Sequence, residues 1–171
     1  KNYGDSNWKD KVTAIGGKTI TYDAIGNPPT YDGWTFTWKA GRMLASMVKT
    51  GTNAQFTYDH NGLRIKKVVN DVTTNYTLNG KNVVHMTQGS HDLHFFYDAQ
   101  GKPGMVTYND VDYFYVTIAG DVVALIDANG TQVVEYGYDA WGNPISKTGS
   151  LAATIGALNP FRYRGYTYLF Y

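Results

Sequence analysis

"FFYDAQGKP" (residues 95–103) and "EYGYDAWGNP" (residues 135–144) share one skeleton: aromatic residues two apart, an aspartate, two variable positions and a glycine. Period two places Phe95 with Tyr97, and Tyr136 with Tyr138, on one side of an extended strand. The aspartate that follows can accept local backbone hydrogen bonds at the start of a type I turn. A glycine at the fourth position enters positive φ and completes a G1 bulge. The stretch is therefore an instruction for a β-hairpin.

The same instruction recurs, degenerately, along the chain. "TITYDAIGNP" (19–28), "TFTWKAGRM" (35–43), "QFTYDHNGLR" (55–64), "NYTLNGKN" (75–82), "YFYVTIAGDV" (113–122) and "VALIDANGTQ" (123–132) are its variants. Asp23, Asp59, Asp98, Asp127 and Asp139 are followed three residues later by Gly26, Gly62, Gly101, Gly130 and Gly142. Further reversals are predicted at Asn79–Gly80 and around Asn109–Asp110. Alternating arms joined by short turns mean antiparallel pairing. Unequal gaps between turns predict an all-β fold of irregular hairpins in a strongly twisted sheet, not a regular solenoid. Recurrence also argues against catalysis by these aspartates, because a general acid needs an environment that raises its pKa and an exposed turn carboxylate stays ionised.

Composition agrees: 19 Gly and 15 Tyr accompany many Thr and Val, with only five Pro. A chain of 171 residues and 19.0 kDa is predicted to form one unit over residues 1–171. Formal net charge +1 supplies no basic surface for nucleic acid or an anionic membrane. The absence of cysteine excludes disulfides and thiolate metal sites. The start at Lys1 and the lack of a signal-like or membrane-length apolar run are read as those of a fragment of a larger repeat protein or of a mature product. Residues 150–158 are expected to form a loop or short helical turn. Asn159–Pro160 then marks a return to extended structure, with Arg162 and Arg164 alternating with Tyr163 on a terminal strand.

The aromatic–Asp–x–x–Gly turns, "DAWGNP" (139–144) and "NPFRYRGYTY" (159–168) together resemble bacterial RHS/YD-repeat proteins, near the RHS repeat-associated core. The resemblance covers nearly the whole chain, and its core motif falls on Asn159, Pro160, Phe161, Arg162, Tyr163, Arg164, Gly165 and Tyr166. It implies a segment of a β-cage wall that in large relatives encloses a C-terminal toxin, in a bacterial protein that is secreted or displayed at the cell surface. It implies as partners the remainder of the shell, or another copy of the chain, and no cofactor. Some members cleave themselves at an aspartate–proline junction. This chain holds no Asp-Pro pair and runs to "TYLFY" (167–171), so that function is assigned to none of its aspartates and no toxin domain is expected within it.

Two other residue groups point elsewhere. His85, His91, Asp92 and His94 offer imidazole and carboxylate ligands for a divalent ion, although His91 and His94 fall on opposite faces of an uninterrupted strand. Trp34, Phe36 and Trp38 form a stripe that either seals a sheet or stacks on sugar rings. The residues thus support a non-enzymatic wall segment first, an extracellular carbohydrate- or cell-surface-binding module second, and a metal-dependent enzyme third.

Overall fold

Short reversals set the architecture of the chain in the computed structural model, which describes residues 1–165. The chain divides into two compact units, Lys1–Tyr76 and a second from Thr77 onward. In the first, β1 (Ala14–Ile15) and β2 (Lys18–Thr19) form a small ladder. There follow β3 (Thr30–Tyr31), β4 (Trp34–Lys39), β5 (Met43–Lys49), β6 (Thr52–Tyr58), β7 (Arg64–Val69) and β8 (Val72–Asn79), each antiparallel to the next. The division between units falls inside β8.

The second unit continues with β9 (Asn82–Gln88), β10 (His91–Tyr97), β11 (Pro103–Tyr108), β12 (Val111–Ile118), β13 (Asp121–Ile126), β14 (Gln132–Tyr138) and β15 (Pro144–Thr148). Each again pairs antiparallel with its successor. The one-turn helix α1 (Ile155–Leu158) and a 3-10 turn (Tyr163–Gly165) come last. The all-β, antiparallel expectation therefore holds.

Two kinds of corner recur among those that join the strands. At Asp32–Gly33, Asn70–Asp71, Asn109–Asp110 and Ala119–Gly120 both turn residues have positive φ, the I′ conformation whose twist matches that of the flanking strands. At the Asp-x-x-Gly corners the ladder slips by one residue just before the aspartate, at Thr57/Tyr58, Phe96/Tyr97, Leu125/Ile126 and Gly137/Tyr138. The slip is the bulge that the turn chemistry demands. Asn70 and Asn109 add a tie to the adjoining corner: their Oδ1 atoms accept the N–H of Asn53 (2.8 Å) and Asp92 (2.9 Å).

Strand alternation sends one set of side chains inward. Met47, Ala54, Phe56 and Tyr76 are buried in the first unit, and Met86, Leu93, Phe95, Val106, Val122, Leu125, Val134 and Tyr136 in the second. The first unit also buries Lys67, opposite Phe56 and Thr74 in the register. Burial, assisted by the nearby Arg64 charge, pushes the Lys67 ammonium down to about 8 from an ordinary 10.5.

Because folding favours neutral Lys67, its charge opposes folding fully below pH 8, and the opposition fades between pH 8 and 10.5 as the folded state loses its proton. Lys67→Met should raise the thermal midpoint at pH 7, and the gain should shrink toward pH 10.5. Thermal denaturation at both pH values checks this; a gain independent of pH contradicts it.

Candidate functional site

The corners and the segment that follows β15 hold the residues singled out by sequence. At every Asp-x-x-Gly corner the glycine N–H donates to the aspartate carbonyl, at 3.0–3.1 Å, and the aspartate N–H donates to the carbonyl four residues on. The aspartate Oδ1 accepts two more main-chain N–H groups, from the residues two and four positions ahead. For Asp59 these are Asn61 and Leu63, both at 2.9 Å; for Asp98, Gln100 and Lys102 at 2.9 and 2.8 Å. Asp23, Asp127 and Asp139 repeat the pattern. The Asn27 backbone foremost, for Asp23, and the Asn143 side chain foremost, for Asp139, hold these carboxyls below the ordinary 3.8. A group so held is a poor proton donor.

The tyrosine before the aspartate has a role that sequence reasoning missed. Tyr58, Tyr97 and Tyr138 each donate their hydroxyl to a main-chain carbonyl of the preceding strand: Leu44 (2.9 Å), Val83 (2.7 Å) and Val122 (2.8 Å). Tyr22 likewise donates to the Val12 carbonyl, two residues before β1, at 2.7 Å. Burial pushes the Tyr97 phenol up to about 12 and that of Tyr58 upward, so both remain donors. The sequence carried one sign of this, the repeated placement of tyrosine immediately before aspartate; Ile126 breaks the pattern before Asp127 and has no hydroxyl to offer.

The core-motif segment is not the terminal strand expected from its alternation. Asn159 is fully buried, accepts the Tyr115 hydroxyl (2.8 Å) and the Phe161 N–H (3.2 Å) on Oδ1, and donates from Nδ2 to the Phe161 carbonyl (3.1 Å) and Tyr136 hydroxyl (3.3 Å). These local bonds curl the chain away from a ladder, and Arg164 then adopts φ 54°. Phe161 inserts edge-on against Phe95, Tyr97 and Tyr115, with centroids 5.2, 6.0 and 6.0 Å away. Pro160 is buried beside it.

Arg162 is 6% exposed and forms no ion pair among the described residues. Its guanidinium instead donates to the carbonyls of Gly156 (2.8 Å) and Phe161 (3.0 Å) and lies 4.2 Å over the Tyr136 ring. Tyr163 packs on Tyr138 and covers Gly142, where a Cβ would strike its ring. The Arg164 N–H donates to Asp121 Oδ1 at 2.8 Å, and Gly165 closes the turn onto the Arg162 carbonyl. Tyr166 lies outside the described residues.

Trp34, Phe36 and Trp38 share one face of β4, half-buried, with successive centroids 6.5 and 6.3 Å apart. Trp38 donates from Nε1 to the Pro28 carbonyl, and Lys49 lies 5.7 Å over Trp34. Of the four candidate metal ligands, the structure brings together three, His85, Asp92 and His94. His85 pairs with His94 across β9 and β10, Asp92 lies two residues along from His94, and His91 points to the other face, where its Nδ1 meets the Tyr108 hydroxyl at 2.8 Å.

The sequence family described as RHS Repeat matches residues 119–154. The tRNA3(Ser)-specific nuclease WapA of Bacillus spizizenii is 35% identical over 170 residues, covering 95% of this chain and 7% of the relative. The tRNA nuclease WapA of Bacillus subtilis strain 168 aligns with the same identity and coverage. The chain thus spans about 7% of the length of the curated relatives it matches. Among solved structures, the Photorhabdus luminescens Tc holotoxin pore aligns at TM-score 0.56 and 14% identity over 94% of this chain and 8% of that one. A crystal structure of TcdB2-TccC3 aligns at TM-score 0.54 and 12% identity, over 78% of this chain and 8% of that one. Both structures share the antiparallel β fold of this chain.

Asn159→Ala strands buried partners around Tyr115 and Phe161 and should cost about 3 kcal/mol; Phe161→Ala should cost about 4 kcal/mol. His91→Ala, which breaks one half-exposed hydrogen bond, should cost about 1 kcal/mol or less. Urea denaturation of the three variants ranks them; a His91 effect as large as the others contradicts the importance given to this segment.

Proposed function

The chain belongs to the RHS/YD-repeat family, and from that premise we propose that it is a non-enzymatic wall segment of a larger bacterial shell, secreted or delivered to the cell surface. Its partners on this reading are the rest of that shell or further copies of the chain, and its parent encloses a C-terminal toxin. The observation that carries the proposal is the use made of the repeated polar groups. The carboxylates of the five Asp-x-x-Gly corners and the hydroxyls of Tyr22, Tyr58, Tyr97 and Tyr138 bond to main chain, so the recurring residues hold hairpins together and present no reactive pair.

The nuclease activity that names the WapA relatives belongs, on this reading, to another part of such parents than the segment matched here. Among the described residues no helix is long and apolar enough to cross a membrane.

The half-exposed Trp34, Phe36 and Trp38 stripe favours a second reading, a carbohydrate- or cell-surface-binding module. Electron cryo-microscopy of the full-length parent separates the two. The wall reading expects residues 1–171 within a continuous β-wall, with the stripe covered. Residues 1–171 standing apart from any wall, with the stripe open and glycan binding lost on Trp34→Ala, would replace it with the second reading.

A further inference from the structure

We propose that His85, Asp92 and His94 form a binding site for a zinc-like first-row divalent ion on the exposed face of the β9–β10 hairpin. Antiparallel register makes His85 and His94 direct cross-strand partners, and period two puts Asp92 on the same side as His94. Leu93 and Phe95, which alternate with them, point into the core. The three donors thus converge on one face of paired neighbouring strands.

Their spacing suits an ion. His94 Nε2 lies 2.9 Å from Asp92 Oδ1, His85 Nε2 lies 3.2 Å from both carboxylate oxygens, and all three donor atoms fall within 4.8 Å of one another. Ligands at about 2.0–2.1 Å around a tetrahedral ion are separated by about 3.3 Å. Two of the three edges are therefore close to the required length before any ion enters, and small rotations of the side chains bring the donors to a common centre.

The imidazole planes are 14° apart with centroids at 4.3 Å, so both Nε2 edges face the same carboxylate. In the bound form each ring carries its proton on Nδ1 and turns the Nε2 lone pair to the ion. Two neutral nitrogens and one carboxylate oxygen form a borderline donor set suited to zinc, nickel or copper and not to magnesium or calcium.

Half-exposure of the side chains leaves the remaining coordination position to water. The ion ties two neighbouring strands and has no part in turnover, so the site is independent of any activity of a longer parent. His91, on the opposite face with Tyr108, takes no part.

The test is calorimetric titration of the untagged 171-residue chain with zinc chloride, with the cobalt(II) absorption spectrum as a second readout. One saturable equivalent is expected, together with a zinc-dependent rise in thermal midpoint. His85→Ala and His94→Ala should each weaken binding by more than about tenfold, the lower bound for losing even an outer-shell partner of a metal site. Asp92→Asn, which keeps the side-chain shape, should weaken it too, and His91→Ala should leave it unchanged. Circular dichroism confirms that these surface variants fold. Absence of saturable zinc binding, binding that survives both His85→Ala and His94→Ala, or equal loss in His91→Ala would overturn the proposal.

Discussion

At each Asp-x-x-Gly corner a single carboxylate oxygen accepts two main-chain N–H groups, and the glycine N–H returns to the aspartate carbonyl. That arrangement reverses the chain within four residues and inserts the bulge that shifts the register. Everything built on the strands depends on it, because a one-residue slip would turn every side chain to the other face. Phe95 would face solvent and His94 the core. At three corners the tyrosine one residue earlier, Tyr58, Tyr97 or Tyr138, acts on the next scale, its hydroxyl anchoring a carbonyl of the preceding strand. A corner that begins as a local turn thereby becomes a tie between neighbouring strands, which explains why tyrosine and aspartate recur as a pair.

The closing segment solves a different problem in the second unit. An antiparallel sheet needs its apolar face covered, and Phe161 supplies cover through contacts with Phe95, Tyr97 and Tyr115, while α1 adds the buried Ile155. Covering the face with irregular chain exposes main-chain carbonyls inside the core. Arg162 is matched to that situation: its guanidinium has several donors in a fixed fork, and two meet carbonyls while the flat cation rests on Tyr136. Asn159 satisfies the neighbouring groups in the same way. The buried polar residues of the motif, Asn159 and Arg162, thus bond groups that the irregular chain around them leaves open.

Much of this was legible from the residues. The alternation in "QFTYDHNGLR" and "FFYDAQGKP", and the Asp–Gly spacing after it, sufficed for antiparallel hairpins. Both signals are short-range: a strand's two faces and a turn's hydrogen bonds lie within about four residues. The resemblance of "NPFRYRGYTY" to the repeat family was also readable, since it rests on residue identity alone. The same alternation misled at Arg162–Tyr163–Arg164, where an Asn159 side chain bonded to the Phe161 main chain overrides extended structure.

What the sequence by itself determined was where the chain turns and which residues share a strand face. Only the tertiary structure decided what those faces meet: that the tyrosine hydroxyls bind carbonyls of the preceding strand, that Arg162 is buried against Tyr136, and that His85 joins Asp92 and His94 while His91 does not. The reason is physical. Turn and strand preferences arise from bonds between near neighbours, whereas these encounters depend on inter-strand register and on packing between residues many positions apart.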